Sequence, residues 1–453
     1  MSNLAVWLNG IRGELADFLP EMIPDTTYHL KSVQILDSSL SVQSLSCLSH
    51  SCPFLEELCF DGCCDANPRK IEIADIKFSN LRTLHVFDDI PDKLLFALTN
   101  SKNLETLYFG AANPETLSKL AIGCPNLLDL DFRIELDTIS MDNFASIFRD
   151  NFPHLKYAFI RFFGVKKWEE SRDLMIPVSE NLLPSSLRSL GIVASVDVIK
   201  IPPRLGISFS SLLYSITRLY LSSLELECEL VCPALVELEL DGVNFTNDDA
   251  GFRVGPFLHS LEIEESANRA HERVYLEGNI VPDLVHLSLS VPLVEIPFVT
   301  NANPYPNLKS VILCIEYSRS LTSDPNLLEF ARNLGKGLGL LSNLERLSVR
   351  QQISWLDFGA QKCILKSLAE RRKLLAESGQ HLKLLEYVFV TKKNGREFLV
   401  KLDSETEKSA RMKATVNLCD ESIRPVENDR RYRPALTRRL VRPMPILPWD
   451  FTK

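Results

Sequence analysis

Hydrophobic residues recur along most of the chain in the order L-x-x-L-x-L, in which the last two apolar positions alternate with variable ones. Such alternation puts every second side chain of a short strand on one face, and the apolar anchor three positions earlier closes the turn into the strand. The first six anchors lie 25, 26, 23, 23 and 28 residues apart, at Leu30, Leu55, Leu81, Leu104, Leu127 and Leu155. Fourteen copies can be followed, namely HLKSVQI from His29, FLEELCF from Phe54, NLRTLHV from Asn80, NLETLYF from Asn103, NLLDLDF from Asn126, HLKYAFI from His154, SLRSLGI from Ser186, SITRLYL from Ser215, ALVELEL from Ala234, FLHSLEI from Phe257, DLVHLSL from Asp283, NLKSVIL from Asn307, NLERLSV from Asn343 and the looser HLKLLEY from His381.

One such unit cannot bury its apolar face alone, whereas stacked units share a continuous core. The period is that of leucine-rich repeats, and it predicts an α/β fold: a leucine-rich-repeat solenoid, an RNI-like horseshoe with parallel strands on the concave side and helices or irregular turns on the convex side. We predict about 14 irregular repeats over residues 29–392. The return segments 91–102, 114–124 and 142–152 have the apolar spacing of short helices. An ordinary α/β domain is the alternative, but it would not repeat one phase so often.

The cysteines follow the same repeat. Five of the 11 cysteines fall within the 18 residues 47–64, but they lack the two matched ligand pairs of a zinc site. Cys52, Cys124 and Cys232 each open the frame C-P-x-L-x-x-L-x-[LF], which marks one fixed position of the repeat. We therefore predict that these thiols fill the core as small apolar groups and that the protein holds no metal or cofactor. Cys59 alternates with apolar neighbours and is expected on the concave, solvent side.

These phrases carry a family resemblance. CPFLEELCFDGC, residues 52–63, resembles the cysteine-containing class of leucine-rich repeats, C-x-x-L-x-x-L-x-L-x-x-C, and Cys52 and Cys63 fit both ends of that pattern. Together with CPNLLDL and FPHLKYAFI, the irregular repeats resemble the repeat region of F-box proteins, of the fungal type in particular, over residues 29–390. In that family the repeats hold a substrate or partner, and an N-terminal F-box docks a Skp-type adaptor in a cullin ubiquitin ligase. The resemblance therefore implies substrate recognition in an SCF-type ubiquitin ligase.

The chain departs from this family at its N-terminus. LPEMI, residues 19–23, is similar to the start of an F-box, but the first repeat strand begins at Leu30, which leaves no room for the remaining helices. We predict that residues 1–28 are an N-terminal cap or an F-box remnant, because the terminal unit of a solenoid needs a cover.

The variable positions of the strands give a candidate binding surface on the concave side. Seven of them form an expected acidic strip: Glu237, Glu239, Asp241, Glu262, Glu264, Asp129 and Asp131. Five others form a cluster with the aromatic and arginine composition that protein interfaces favour: Tyr157, Phe159, Arg161, Arg218 and Tyr220. The functional interpretation is a protein partner that carries a basic segment. The alternative is that exposed strand positions are polar only for solubility.

The composition and the charge of the chain change after residue 392. Residues 393–423 are polar and helix-prone, and residues 424–453 hold eight Lys or Arg against three acids, a local charge of +5 that leaves −14 on the rest of a chain of net charge −9. Prolines at 425, 434, 443, 445 and 448 prevent long helices there. We predict a solvated, partly disordered basic tail. A sharper alternative is that RRYRPALTRRLVRP folds back over the acidic strip as an internal competitor for the ligand.

Composition places the chain among folded, soluble proteins. At 453 residues, 45% are hydrophobic and 24% charged, and no apolar run approaches the roughly 20 residues of a membrane span. The N-terminus lacks a basic segment followed by an apolar block, so we expect a cytoplasmic or nuclear protein with reduced thiols. The net charge of −9 disfavours nucleic acid as a partner.

The motifs of common enzymes are absent from the sequence. Neither G-x-S-x-G nor H-E-x-x-H occurs, and the strand phase explains the spacing of Asp129 and Asp131 without a metal. The glycines at 335–339 are expected to cap the helix PNLLEFARNL. We therefore predict an interaction scaffold rather than an enzyme. The alternatives are a stand-alone repeat adaptor unrelated to ubiquitination and a metal-binding protein that uses Cys59, Cys63 and Cys64.

Overall fold

The computed structural model describes residues 4–9, 30–36, 41–60, 76–87, 90–135, 149, 151–163, 174–178, 183–194, 205–209, 213–226, 229–245, 251–264, 283–292, 305–316, 327–351, 358–390 and 397–402. In these ranges one 16-stranded sheet runs through the molecule, and every neighbouring pair in it is parallel except the last, β21 with β22. Its strands, in spatial order, are β1 (Leu4–Asn9), β2 (Leu30–Leu36), β3 (Glu57–Phe60), β4 (Thr83–Val86), β5 (Thr106–Ala112), β6 (Asp129–Glu135), β7 (Tyr157–Phe163), β9 (Ser189–Ala194), β11 (Arg218–Ser222), β14 (Glu237–Asp241), β17 (Ser260–Glu264), β18 (His286–Pro292), β19 (Ser310–Glu316), β20 (Arg346–Gln351), β21 (Leu385–Val390) and β22 (Glu397–Leu402).

Each of the fourteen copies of the L-x-x-L-x-L pattern forms one strand of this sheet, from β2 to β21. Equivalent leucines align across neighbouring strands, so that Leu84, Leu107 and Leu130 lie side by side. Because side chains alternate along a strand, this register puts one apolar face and one polar face on the whole sheet. The prediction of an α/β fold with one long parallel sheet, solenoid-like in its order, is confirmed.

The return segments differ between the middle and the two ends of the described sheet. Within the described residues, helices connect strands of the main sheet in five places: α1 (Val42–Ser51), α2 (Asp92–Thr99), α3 (Pro114–Gly123), α4 (Leu327–Leu338) and α5 (Phe358–Glu377). In the middle the returns are short strands: β8 (Leu174–Val178), β10 (Leu205–Phe209), β12 (Glu225–Leu226) and β15 (Asn244–Phe245) form a second parallel sheet, and β13 (Glu229–Cys232) pairs with β16 (Gly251–Val254). Leucines of the helices and of both sheets share one buried cluster, so these elements pack on the apolar face of the main sheet.

A left-handed residue turns the chain from the main sheet into the second one. Gly242, directly after β14, has φ 59°, and Ser223, directly after β11, has φ 57° at the equivalent position. The Ser223 amide also donates a hydrogen bond to the Asp241 carbonyl, at 2.7 Å. A side chain is strained in this conformation, and glycine is not. The same turn therefore recurs in successive repeats, with its preferred residue in only one of them.

Side-chain amides link neighbouring repeats at the entry to the strands. The residue before the apolar anchor is often asparagine, and its Nδ2 donates to a turn carbonyl of the preceding repeat: Asn80 to Pro53 at 2.9 Å, Asn103 to Ser79 at 3.1 Å, Asn126 to Lys102 at 2.9 Å and Asn343 to Pro306 at 2.6 Å. These bonds satisfy carbonyl groups that the turns leave outside the sheet. The recurrent asparagine of the sequence pattern thus has a structural cause.

The cysteines of the Cys-Pro frame are core residues. Cys52, Cys124 and Cys232 are each 1% exposed, and burial raises the pKa of the Cys52 thiol to about 11. Their predicted burial in the core is confirmed, and Cys124 Sγ also donates a hydrogen bond to the Thr99 carbonyl, at 3.2 Å. The expectation for Cys59 is wrong in one respect: it lies on the polar face, beside Gln34 and His85 in register, but it is buried by its neighbours rather than solvent-facing.

Three further expectations change. Of the glycines expected to cap α4, Gly335 and Gly337 lie inside the helix, whereas Gly339 directly follows its last residue, Leu338, and its amide donates a hydrogen bond to the Gly335 carbonyl at 3.0 Å. Gly335 packs against α5, since a Cβ there would lie 2.4 Å from the Ile364 carbonyl oxygen. The segment expected to be helix-prone, 393–423, contains strand β22. Near the N-terminus, β1 adds a strand before the first predicted repeat. The LPEMI segment, nearly all of the helix expected at 142–152, and residues 424–453 lie outside the described residues.

None of the helices within the described ranges combines the length and the hydropathy that crossing a bilayer requires.

Candidate partner-binding site

The polar face of the main sheet orders its side chains in rows that run across the strands. The middle row passes through the central polar position of each strand, and its members lie about 4.8 Å apart between neighbours. From β3 to β17 this row reads Cys59, His85, Tyr108, Asp131, Phe159, Gly191, Tyr220, Glu239 and Glu262. Its first part is aromatic and its last part acidic, so one continuous surface has two chemically different regions.

The aromatic region is a stack built around one arginine. Arg161 donates a hydrogen bond to the Tyr108 hydroxyl at 2.7 Å, and its guanidinium carbon lies 4.9 Å from the centre of that ring and 4.8 Å from the ring of Phe159. His85 stacks on the other side of Tyr108 at 5.9 Å, and Phe159 stacks on Tyr220 at 5.7 Å. We call these five side chains, His85, Tyr108, Arg161, Phe159 and Tyr220, the aromatic–arginine stack. Cation–π and ring contacts hold it together across β4 to β11.

A glycine makes the second half of the stack possible. Strand β9 lies between the strands of Phe159 and Tyr220, and its middle-row residue is Gly191. The Phe159 ring occupies the space where a side chain would be, since a Cβ on Gly191 would lie 2.1 Å from Cδ2 of Phe159. The absent side chain therefore lets two aromatic rings meet across an intervening strand.

A buried carboxylate anchors the arginine. Arg161 Nη2 lies 2.8 Å from Asp131 Oδ2, and both side chains are largely buried, at 17% and 14% exposed. Burial raises the pKa of Asp131 to about 7, although the Arg161 guanidinium lowers it. Burial also raises the pKa of Asp129 to about 6. Arg161 is therefore held by a buried carboxyl group that is fully ionised only above about pH 7, and this part of the surface is not an exposed acidic patch.

Two buried polar atoms beside the stack have no hydrogen-bond partner among the described residues: Oδ1 of Asp131 and Nε2 of His85. Burial lowers the pKa of His85 to about 4, so the imidazole is neutral at pH 7. A buried polar atom without a hydrogen bond costs free energy. Because both atoms are buried, a group on the surface reaches them only if side chains of the stack move.

The acidic region lies on β14 and β17. Parallel register places Glu239 directly opposite Glu262, and Asp241 directly opposite Glu264. Like charges that face each other across strands destabilise a sheet. Neighbouring groups balance part of this charge, since Glu262 lies 3.2 Å from His286 Nε2 and the Ser222 hydroxyl donates to Asp241 at 3.0 Å. We keep the name acidic strip for the five residues Glu237, Glu239, Asp241, Glu262 and Glu264.

A second row runs across the sheet two positions before the middle row in each strand, and it includes Asp129, Tyr157, Arg218 and Glu237. This row borders both regions and contains the remaining residues of the predicted surface. Arg218 forms an ion pair with Glu237 at 3.2 Å, but both side chains are about half exposed, so the pair contributes little stability. Tyr157 is 44% exposed and stands beside Asp129. Asp129 and Asp131, which were expected to join the strip from an earlier strand, lie on β6, four strand intervals from β14, or about 19 Å, and the aromatic and arginine residues lie between.

The sequence interpretation grouped Phe159, Arg161 and Tyr220 correctly, but it missed three members of the arrangement. Tyr108, His85 and Gly191 occupy the same repeat position as Phe159 and Tyr220, two of the residues that were chosen. The signal was available in NLRTLHV, NLETLYF and SLRSLGI, where these residues follow the anchor by four positions. Reading that single position through all the repeats would have found the whole middle row.

Among the residues that the structure describes, no three His, Cys, Asp or Glu side chains form a group that could hold a metal ion. Cys63 and Cys64, named in the metal-binding alternative, lie outside these ranges. No protein-family model matches this chain, and no curated protein matches its sequence. The geometry of the polar face is therefore the basis for assigning a function.

Proposed function

We propose that the protein is a leucine-rich-repeat scaffold that binds a protein partner on the polar face of its long sheet. In this proposal the polar face is the concave side of an RNI-like horseshoe, and the sequence period of 23–28 residues between its first anchors supports the repeat class. Solenoids of this kind use extended concave surfaces for binding.

The observation that carries the proposal is the composition and order of the middle row. Aromatic and arginine side chains supply most of the binding energy in protein interfaces, and here they form a fixed stack rather than a scatter of single residues. Side chains that are held in place before binding lose less conformational entropy when the partner arrives. The stack is thus prepared for contact, and the adjacent acidic strip selects partners that carry positive charge.

Substrate recognition in an SCF-type ubiquitin ligase is the more specific form of this proposal. The resemblance of the repeats to those of F-box proteins supports it, and so does the similarity of LPEMI, residues 19–23, to an F-box start. A Skp-type adaptor is then the second partner. A stand-alone adaptor that binds one protein on the same face is the alternative form.

The test is affinity purification of the full-length chain from its own cells, with partners quantified by mass spectrometry. The wild type is compared with Phe159→Ala plus Tyr220→Ala and with Glu239→Lys plus Glu262→Lys. The matched control is Glu115→Lys plus Glu370→Lys, which makes the same change of net charge on exposed positions of α3 and α5.

We expect at least one protein to co-purify stoichiometrically with the wild type and the control, and to fall at least tenfold with both variants of the polar face. A partner that is retained by both variants contradicts the proposal. Enrichment of a Skp-type adaptor and a cullin would favour the ubiquitin-ligase form, and their absence beside another stoichiometric partner would favour the stand-alone form.

A further inference from the structure

We propose that Lys156 and Arg188, at the edge of the sheet where β7 and β9 begin, bind an acidic segment of the partner protein. The proposal rests on the proposed function, and it adds a second chemical requirement for the same partner. Its basis is the order of charges at one repeat position, two neighbouring cations without an ion pair among the described residues, and the short distance from there to the aromatic–arginine stack.

The residues that directly follow the apolar anchors form a row along the edge where the strands begin, which we call the entry row. Backbone hydrogen bonds join it from repeat to repeat, such as the bond from the Glu56 amide to the Lys31 carbonyl at 2.9 Å. In the first repeats the charges alternate and neighbours pair. Lys31 Nζ lies 2.6 Å from Glu56 Oε1, and Arg82 Nη1 lies 3.6 Å from Glu105 Oε1. Side chains of the entry row therefore meet across neighbouring repeats.

The alternation of charges ends at β7 and β9, where the entry row carries two cations in succession. We call these two, Lys156 and Arg188, the basic pair; the Arg188 amide donates a hydrogen bond to the Lys156 carbonyl at 2.8 Å. The row continues on either side with uncharged residues, Leu128 and Thr217. Both cations are exposed, and neither forms an ion pair with a described residue. Like charges in neighbouring strands repel, and an anion bound between them offsets that repulsion.

The acids on the adjacent strands do not neutralise the basic pair. Asp129 lies next to Tyr157 in register, but burial raises its pKa to about 6 and no lysine or arginine lowers it. Glu237 forms its ion pair with Arg218, at 3.2 Å. The positive charge of the basic pair is therefore available to a ligand.

One member of the basic pair is held in place before any ligand binds. Arg188 Nη1 donates hydrogen bonds to the Ser185 and Leu187 carbonyls, each at 2.9 Å, which fixes the guanidinium without neutralising its charge. Its Nε and Nη2 groups make no hydrogen bond with a described residue. These two groups lie on the same side of the guanidinium and present the two parallel N–H bonds that a carboxylate accepts. The geometry thus fits the side chain of an aspartate or glutamate.

The basic pair lies close to the stack. Lys156 directly precedes β7, and Phe159 follows it by three residues, or about 10 Å. Tyr157, 44% exposed, lies between them. A partner that contacts the Phe159 ring therefore reaches the basic pair along the same strand.

Titration of the full-length chain with a fluorescent octaglutamate peptide at low salt tests the basic pair directly. The wild type is compared with Lys156→Gln plus Arg188→Gln. The matched control is Arg82→Gln plus Lys309→Gln, which removes the same charge from exposed positions of the same entry row. We expect the dissociation constant to rise at least fivefold in the first variant and less than twofold in the control. Equal dissociation constants for the two variants, or no binding to the wild type, overturn the proposal.

A second measurement does not depend on any variant. A carbodiimide couples a carboxylate of the octaglutamate peptide to a nearby lysine amine: an amide bond forms, and the carbodiimide takes up the water that is lost and becomes a urea. Mass spectrometry then compares the yield at Lys156 with the yield at Lys309, an exposed lysine of the same row. We expect at least fivefold more product at Lys156, and equal yields overturn the proposal.

The two proposals fail separately. Neither measurement involves another protein, so peptide binding at the basic pair supports this site even if the polar face captures no partner. Conversely, a partner that is lost with Phe159→Ala plus Tyr220→Ala but retained by Lys156→Gln plus Arg188→Gln supports the proposed function and contradicts the role of the basic pair.

Discussion

The aromatic–arginine stack and the acidic strip occupy equivalent positions on the same sheet, but they differ in how their charges are balanced. In the stack, the charge of Arg161 is matched by buried Asp131 and shared between two aromatic rings. In the strip, parallel register places Glu239 opposite Glu262 across β14 and β17. One strand phase thus produces a region in which an arginine contacts a carboxyl group and two rings, and another in which two glutamates lie opposite each other.

Under the proposed function, the two regions have different roles, the stack in stability and the strip in recognition. A buried ion pair destabilises strongly when one partner is removed, so residues of the stack are tied to the folding of the repeats around them. Repelling carboxylates reduce stability, and such a cost is offset when a cationic ligand binds. We therefore expect changes in the stack to lower stability first, and changes in the strip to alter binding first.

The largest effect is expected from Arg161→Ala. The substitution leaves the largely buried Asp131 without its counter-ion, and we expect the free energy of unfolding to fall by about 3 kcal/mol. Chemical denaturation monitored by circular dichroism measures it. The double variant Arg161→Met plus Asp131→Leu removes both charges and is expected to recover most of the loss. No difference between Arg161→Ala and the wild type would show that the pair contributes nothing.

Gly191→Ala is expected to be next in size. The new Cβ would lie 2.1 Å from the Phe159 ring, so the ring must leave its place on Tyr220, at about 2 kcal/mol by comparison with other overpacked sites. The same measurement on Gly123→Ala, where nothing lies within 4 Å of the added atom, is the control and is expected to show no loss. If Gly191→Ala and the wild type were equally stable, the Phe159 ring would not occupy the space beside Gly191.

The titration of Asp131 makes the stability of the stack depend on pH. The pKa of Asp131 is about 7 in the folded chain against 3.8 for an ordinary aspartate, so between these values the folded state binds the proton and the unfolded state does not. The contribution of Asp131 to stability therefore falls as pH rises from about 4 to about 7, with a slope of up to about 1.4 kcal/mol per pH unit.

Asp131→Asn lacks this proton, so the difference in unfolding free energy between it and the wild type is expected to change with pH in that window. His85 acts in the opposite direction: its lowered pKa of about 4 makes the folded state lose stability as pH falls below 6.5, but this loss is common to both chains and cancels in the difference. Parallel pH curves for the two chains would contradict the raised pKa of Asp131.

The smallest effect is expected in the strip, and it has the opposite sign. Glu239→Gln removes one member of a like-charged pair, and we expect the free energy of unfolding to rise by about 0.5 kcal/mol at low salt. The gain should vanish in 500 mM salt, because screening weakens the repulsion in the wild type. Destabilisation at low salt would mean that Glu239 is a structural residue like those of the stack.

Much of the fold could be predicted from the sequence, because the anchor leucines specify strand phase and burial together. Leu55, Leu81 and Leu104 recur at nearly constant spacing, and each is buried two residues before a strand that pairs in the register this spacing implies. The segments that connect successive strands of the main sheet were harder to predict. A strand such as β12 has only two residues, which is too short for any periodicity to appear.

The candidate site could be predicted as a face but not as a set of contacts. Strand phase alone places Phe159, Tyr220 and Glu239 on that face. It does not indicate that Arg161 reaches across β6 to Tyr108, because this depends on side-chain length and on which neighbour offers an acceptor. Nor does it show that Asp131 is buried, since burial on a sheet depends on the size of the residues in adjacent strands.

The most direct test of the account measures stability and partner capture on the same preparations of Glu239→Lys plus Glu262→Lys. The account predicts that this variant remains folded, with a cooperative unfolding transition like that of the control Glu115→Lys plus Glu370→Lys, while the partner held by the control falls at least tenfold. A variant that keeps the partner at the control level while it remains folded would contradict the claim that this face recognises it.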